Sequence, residues 1–394
     1  MSFAIQSAQS AAVLSGLDTL FEENDAGVPP LLRGRRIGIL TNHTGRTRQG
    51  GSTLSALRSL NLDIRALFSP EHGIEGKREG DIASSETKDQ LPIYSLYGET
   101  RRPTSEMLRE IDILVCDLQD VGARFYTYAG TLAHCMEECA AREIAVVVLD
   151  RPNPIGGEIV EGPLIDKSAR SFVGYLDVPI RHGMTMGELA LLFQSDAKLK
   201  MELHVAKMRG WKRAMFWPQT GLKWPVPSPN LPDFQSALWY PGICLLEFSK
   251  VSVGRGTQAP FQIIGAPWLG AAGVLRALEN EPIFTKDFQA EIITFTPARG
   301  EHEGAICSGL KFSTQHSAFS PQRFVPLGLF LLSVLHRVQP QEFGAEKLQA
   351  ALPLLGASGV LPMLREGAVP AALEIAEHDA EKFLGRRKSF LLYQ

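Results

Sequence analysis

The sequence has few cysteines, no excess of positive charge, no long apolar run and none of the short motifs that mark nucleotide, zinc or serine-hydrolase sites. Its five cysteines, at positions 116, 135, 139, 244 and 307 of 394 residues, cannot all pair within one chain. Their spacing fits neither a disulfide framework nor a CxxC zinc pattern, so they read as reduced thiols in a reducing compartment. Lys and Arg number 40 against 43 Asp and Glu, a formal net charge of -3. With no positive field available, nucleic acid is not an expected partner. The longest apolar stretch, residues 325–335 (VPLGLFLLSVL), is too short to span a bilayer and reads as a buried helix, so no membrane partner is expected. Residues 1–16 (MSFAIQSAQSAAVLSG) show neither a positively charged start nor the apolar core of a signal peptide. Together with the cysteines, this gives the expectation of a cytoplasmic protein.

What is present is ordinary globular composition, 44% hydrophobic and 21% charged, at a length suited to two domains. The first 150 residues repeat one unit, in which a near-continuous apolar run ends in a polar loop and a helical segment follows. The runs are residues 36–40 (RIGIL), 62–68 (LDIRALF), 112–118 (DILVCDL) and 144–149 (IAVVVL), and the helical segments are 52–60, 104–111 and 128–142. This pattern predicts an α/β fold with an open, mostly parallel, Rossmann-like sheet covered on both faces. Residues 151–235 are rich in Pro, Gly and Trp, with one clear helix at 185–195 opened by a Thr185/Glu188 capping box. Residues 217–232 are too proline-rich for regular structure and read as an ordered loop. A second, smaller α+β region begins near residue 236. The expected division is residues 1–235 and 236–394.

Ligands of open α/β sheets bind beyond the carboxyl ends of the strands, and these four strands carry their unusual polar residues there. None of the loops has the glycine fingerprint of dinucleotide binding, and no Walker A or Gly-x-Ser-x-Gly pattern occurs. His43, His72, His134 and His182 lack zincin spacing and read as hydrogen-bonded loop residues. No metal or other cofactor is expected. Carboxylates remain. Glu71 follows Ser69-Pro70 at a strand end and precedes His72-Gly73, where proline fixes the chain direction and glycine permits a sharp turn. A partly buried carboxyl there suits a general acid, because burial disfavours the charged form. It can equally cap a helix or pair with Arg78 or Arg124. Asp117, Asp120, Asp150 and Glu161 are expected to face the same crevice, and paired carboxylates are the usual equipment for glycoside hydrolysis. Arg124 can bind a carboxylate bidentately or neutralise the aspartates. Tyr126 and Tyr128 can offer a sugar a stacking face and a hydroxyl, or simply pack the loop.

The ordered set TNHTG (41–45), SPEHG (69–73), YSLYG (94–98), DLQDVGARFYTY (117–128), DRPNP (150–154), EGP (161–163), RHGMTMGEL (181–189), PSPNLP (227–232) and GRGT (254–257) resembles one family, the exo-β-N-acetylmuramidase NamZ family. The motifs keep their order over roughly three quarters of the chain, and RRKSFLLY (386–393) is more loosely similar.

The resemblance implies a Rossmann-like catalytic domain, a C-terminal domain closing the active-site cleft, and release of terminal β-1,4-linked N-acetylmuramic acid (MurNAc) from the non-reducing end of peptidoglycan fragments. The expected partners are small molecules: MurNAc-GlcNAc, where GlcNAc is N-acetylglucosamine, and muropeptides. By position, Glu71 is the expected general acid. Asp120, Asp117 and Glu161 are candidates for the second acidic group, and the sugar's own acetamido oxygen is an alternative nucleophile. The lactyl carboxylate of the sugar needs a cation, for which Arg124, Arg151, Arg181 and Arg255 are candidates. Asn42, His43, His72, Tyr126, Tyr128, Asn153, His182 and Asn230 are further candidate sugar contacts. The expected setting is cell-wall recycling in the cytoplasm. The alternatives are a hydrolase acting on another amino sugar and a non-catalytic muropeptide-binding protein. Residues 339–375, rich in Ala, Leu and Gly, resemble the family only weakly.

Overall fold

A computed structural model describes residues 12–22, 29–315 and 322–394. Most of the N-terminal stretch read above, residues 1–11, lies outside the described residues. The four apolar runs form the strands β1 (Arg36–Thr41), β2 (Asp63–Ser69), β5 (Ile113–Asp117) and β6 (Ala145–Leu149), joined by β3 (Ser85–Glu86), β4 (Pro92–Ser95) and β7 (Leu203–Ala206). The order in the seven-stranded sheet is β3-β4-β2-β1-β5-β6-β7, parallel throughout except where β3 meets β4. Alternation of side chains across the pleat explains the near-continuous apolar runs. Ile37, Ile39, Ile113, Val115, Ala145 and Val147 bury one face. Leu40, Leu114, Cys116, Val146 and Val148 bury the other.

Helix Tyr128–Ala140 and helix Met186–Asp196 cover that second face. Thr185 opens the latter, its hydroxyl accepting from Glu188 N while the Glu188 carboxylate accepts from Thr185 N. The proline-rich segment forms one 3-10 turn, Trp217–Thr220, and is otherwise irregular. From Phe234 the chain builds a smaller layer. Helix Phe234–Ile243 and helix Phe324–Val338 pack on a three-stranded antiparallel sheet ordered β8 (Ile263–Ala266), β10 (Cys307–Thr314), β9 (Phe288–Phe295). The apolar run 325–335 is buried there except at the half-buried Pro326. Gly328 permits the close crossing: a Cβ on it would lie 2.3 Å from Gly242 O.

Among the described residues several elements went unread in the sequence, including β3, β4, β7, β8, helix Gly16–Glu22 and helix Phe234–Ile243. β3, β4 and β7 are short and partly exposed, and helix Phe234–Ile243 carries a proline and a glycine near its end. Residues 339–375, read as resembling the family only weakly, contribute helices Ala345–Gln349, Leu352–Leu355 and Val360–Glu366 and the start of helix Val369–Arg387. One buried cluster runs from the sheet into this layer. Among the described residues no helix is long and apolar enough to cross a membrane.

Candidate active site

Glu71 stands where β2 ends. His72 and Gly73 both adopt positive φ, +69° and +70°, so the chain turns sharply behind the glutamate. His72 Nδ1 donates to Arg78 O at 2.8 Å, which fixes that turn from within. Thr127, at the start of helix Tyr128–Ala140, donates its hydroxyl to Glu71 Oε2 at 2.6 Å. The Tyr97 phenol is also hydrogen-bonded to this carboxylate. Burial, and then the Glu71 charge, push Tyr97 up to about 12.

Glu71 lines a cavity of about 160 Å³ together with His72, Tyr126, Thr127, Asn230 and Arg255. Three parts of the chain meet here: the loops after β2 and β5, the proline-rich segment, and the C-terminal layer. Asn230 Nδ2 donates to Glu79 Oε1 at 2.9 Å, and Glu79 lines the same cavity. Arg255 pairs with Glu247 at 2.5 Å. Asn230 Oδ1 and Arg255 Nε are buried without hydrogen-bond partners. Buried polar atoms are rarely left so. An acceptor and a cationic donor are therefore available beside a carboxyl held by two hydroxyls, which suits a small polar ligand that carries an anion and undergoes proton transfer.

Of the residues anticipated from sequence, Glu71, His72, Tyr126, Asn230 and Arg255 are brought together. The others do not line this cavity. Arg124 is fully buried, and burial lowers its guanidinium to about 10. It donates to the carbonyls of Pro163, Val178, Leu354 and Leu355, so it ties the C-terminal layer to the loops, and it does not line the Glu71 cavity. Arg151 makes a two-point pair with Asp117, at 2.5 and 2.9 Å, and Thr53 donates to the same carboxylate. Arg181 and Glu161 form a buried pair at 2.7 Å, and Glu161 Oε2 accepts from Val325 N at 2.9 Å. Glu161 thus anchors the start of helix Phe324–Val338, where a negative charge is favourable. It is not a second acid at the cavity.

Asp120 accepts from Gly122 N at 2.7 Å and faces His182 Nε2 at 3.4 Å, while His182 Nδ1 accepts from Met184 N. Neither lines the Glu71 cavity. Asp150 accepts from Thr185, Gly187 and Tyr393. Asn153 donates to Met184 O and accepts from Ile155 N, closing its own turn. Asn42 donates to the Tyr128 hydroxyl at 2.7 Å and accepts from Thr44. Tyr128 in turn donates to Pro227 O at 3.1 Å, so both residues support the wall from behind. His43 lies in a different cleft. Asp117, Asp120, Asp150 and Glu161 do not line the Glu71 cavity; internal donors hold Asp117, Asp150 and Glu161, while Asp120 keeps Oδ1 buried without a partner.

The site also contains residues not anticipated. Thr127 and Tyr97 sit inside quoted motifs, but a hydroxyl with no charge gave no sign of its partner. Glu79 lies in a charged stretch with no distinguishing pattern. Among the described residues no three His, Cys, Asp or Glu side chains cluster with metal-holding geometry.

Two family models match the chain: exo-β-N-acetylmuramidase NamZ, N-terminal, over residues 37–235, and the corresponding C-terminal model over residues 238–393. The C-terminal match includes the stretch 339–375 that had looked dissimilar. The chain is similar to the peptidoglycan β-N-acetylmuramidase NamZ of Bacillus subtilis (strain 168), with 37% identity over 98% of this chain and 93% of that protein. It is also similar to two crystal structures of DUF1343 family proteins from Bacteroides fragilis NCTC 9343, each 30% identical over 98% of this chain. The first has a TM-score of 0.87 over 100% of its length, the second 0.77 over 99%.

Proposed function

The chain belongs to the exo-β-N-acetylmuramidase NamZ family, and from that premise we propose that it removes terminal β-1,4-linked MurNAc from the non-reducing end of peptidoglycan fragments. The observation that carries this reading at the site is the pairing, in one small cavity, of a hydroxyl-held carboxyl with a half-buried arginine whose Nε is unpartnered. At about 160 Å³ the cavity is small beside ligand pockets of roughly 300–1,000 Å³. Such a space suits one terminal ring better than the middle of a chain.

In the mechanism we propose, Glu71 gives its proton to the glycosidic oxygen as the bond from C1 to that oxygen breaks. The acetamido oxygen of the same sugar attacks C1. Water then opens the cyclic intermediate and returns a proton to Glu71. Glu79, the other carboxylate on the wall, is the candidate to orient the acetamido N–H. Arg255 Nε is the candidate donor to the lactyl carboxylate. The loops before residue 236 supply the acid, and the layer after it supplies the arginine, which supports a catalytic domain closed by a C-terminal one.

A cytoplasmic recycling role is our further reading. It is supported by the five cysteines, all free and buried. Burial pushes the thiols of Cys116 and Cys135 well up, away from ready oxidation.

The test is MurNAc release from MurNAc-β-1,4-GlcNAc by wild type and Glu71→Gln. Release by wild type, with a loss of roughly 10²–10⁴ in the variant, is the expected result. No release by folded wild-type protein would overturn the activity, and equal release by both would overturn the acid.

A further inference from the structure

The largest cleft near the site is not the one that holds Glu71. A cleft of about 680 Å³ opens beside the loops that follow β1 and β5, within the size range of ligand pockets. Its position follows from the strand order. The chain runs outward from β1 through β2 to β4, then returns and runs outward the other way from β5 through β6 to β7. The loops after β1 and β5 therefore diverge, and such a switch point is where open α/β sheets take ligands. His43 and Thr44 line the cleft from one loop and Gln119 from the other.

Its wall is unfinished in a specific way. Gln119 is 1% exposed, and its Nε2 donates to Asp120 O and Pro152 O. That fixes the amide orientation and leaves Oε1 a buried acceptor with no partner. Trp217, 5% exposed, has a buried Nε1 donor with no partner, and His43 Nδ1 is a third such atom. Trp217 and Trp224 stand edge to face, with centroids 5.3 Å apart, and both line the cleft. On the rim, Arg48 and Lys223 are exposed and enter no ion pair among the described residues. The nearby carboxylate of Asp18 is taken up by Ser15 and by Arg48 N, and Arg46 donates to its own loop carbonyls.

No residue lines both this cleft and the Glu71 cavity. The strap of residues 225–228 stands between them. His43 Nε2 holds Val226 O at 2.9 Å on the cleft side, and Tyr126 holds Pro227 O at 2.8 Å on the cavity side.

We propose that this cleft is a second ligand site, for a pyranose carrying one anionic substituent. The indoles give a ring face, Gln119 Oε1 and Trp217 Nε1 receive hydroxyl or amide groups, and the rim cations take the charge. A carboxylated and a phosphorylated sugar share this chemistry. Only the identification of the carboxylated one with a reaction product rests on the proposed activity.

The experiment uses the full chain carrying Glu71→Gln, so that nothing is turned over. MurNAc, glucose 6-phosphate and uncharged GlcNAc are titrated against intrinsic tryptophan fluorescence. Two tryptophans line the cleft and none lines the Glu71 cavity, so the signal reports the cleft. The expected result is a saturable change with at least one of the anionic sugars, roughly tenfold tighter than with GlcNAc. It should weaken about tenfold in Arg48→Ala/Lys223→Ala, substitutions at exposed positions that spare the fold. The anion that binds more tightly identifies the source. No saturable change with either anion overturns the site, and GlcNAc binding as tightly as both overturns the anionic assignment. Neither outcome depends on whether MurNAc is released in the hydrolysis assay.

Discussion

Two acids at the same end of one sheet have opposite surroundings. Glu71 follows β2 and Asp150 follows β6, both at strand ends where an open sheet takes its ligands. The carboxylate of Asp150 accepts from the hydroxyls of Thr185 and Tyr393 and from the backbone N–H of Gly187 and Arg151. Its capacity is filled from within the fold, and it does not line the Glu71 cavity. The Glu71 carboxylate has two hydroxyl partners and an open side facing the cavity. Position on the sheet therefore selects a set of acids, and saturation by internal donors sets Asp150 apart from Glu71. The same contrast divides the arginines. Arg124, Arg151 and Arg181 spend their terminal nitrogens on internal carbonyls and carboxylates. Nε is unpartnered in Arg124, Arg181 and Arg255 alike, but only Arg255 lines the Glu71 cavity.

The sharpest way to break this contrast is to remove one acid of each kind. Glu71→Gln should lower MurNAc release by roughly 10²–10⁴ and leave the urea midpoint within error, because an amide of equal size keeps the Thr127 hydroxyl bond. A variant that unfolded more easily by several kcal/mol would place Glu71 among the structural acids instead. The converse is expected of Arg181→Met. It leaves Glu161 as a buried carboxylate without its counter-ion and should cost about 3–5 kcal/mol in urea unfolding. The double variant Arg181→Met/Glu161→Gln should recover most of that loss. No recovery would mean that Val325 N and the carbonyls around Arg181, rather than the charge pair, set the cost.

How much of this was legible beforehand follows the same line. The parallel sheet was readable because β1, β5 and β6 are buried on both faces and so are apolar at nearly every position. The short strands β4 and β7 escaped because half-buried positions carry no such signature. Glu71 stood out as a candidate from Ser69-Pro70 before it and Gly73 after it, and its carboxyl lies on the cavity wall. The roles of Arg124 and Glu161 were not. Their partners, Leu354, Leu355 and Val325, lie some 160 to 230 residues away, and they are backbone groups, which leave no mark on residue identity. Tyr97 and Thr127 were hidden for the complementary reason: an uncharged hydroxyl shows nothing of the acid it will serve.

A smaller effect sharpens the arginine side. Arg255→Gln removes the guanidinium while keeping a polar side chain at the cavity. We expect KM for MurNAc-β-1,4-GlcNAc to rise about tenfold with a smaller change in kcat, since binding of the lactyl carboxylate is made equally in ground and transition states. The analogue lacking the lactyl group should show little change in KM. A loss confined to kcat would move Arg255 from substrate binding to the stabilisation of charge at the reacting centre.

The smallest effect concerns Asp150 and is read in stability alone. Burial raises its carboxyl from 3.8 to about 6 despite its donors. The native state therefore binds more proton than the unfolded chain between about pH 4 and pH 6. Stability from this group is complete below about pH 4 and falls as pH rises through 6, with a slope of at most about 1.4 kcal/mol per pH unit. Asp150→Asn should remove that slope without collapsing the site. The amide oxygen can accept from Gly187 N and Arg151 N, now at 2.8 and 3.1 Å. The amide nitrogen can donate to the Thr185 and Tyr393 hydroxyl oxygens, now 2.7 and 2.6 Å from the carboxylate. Urea unfolding of both proteins from pH 4 to 7 measures it. A slope unchanged in the variant would mean that another group titrates in this window. A variant much less stable at every pH would mean that the donors need the charge, so that saturation at this strand end is electrostatic rather than a matter of filled hydrogen bonds.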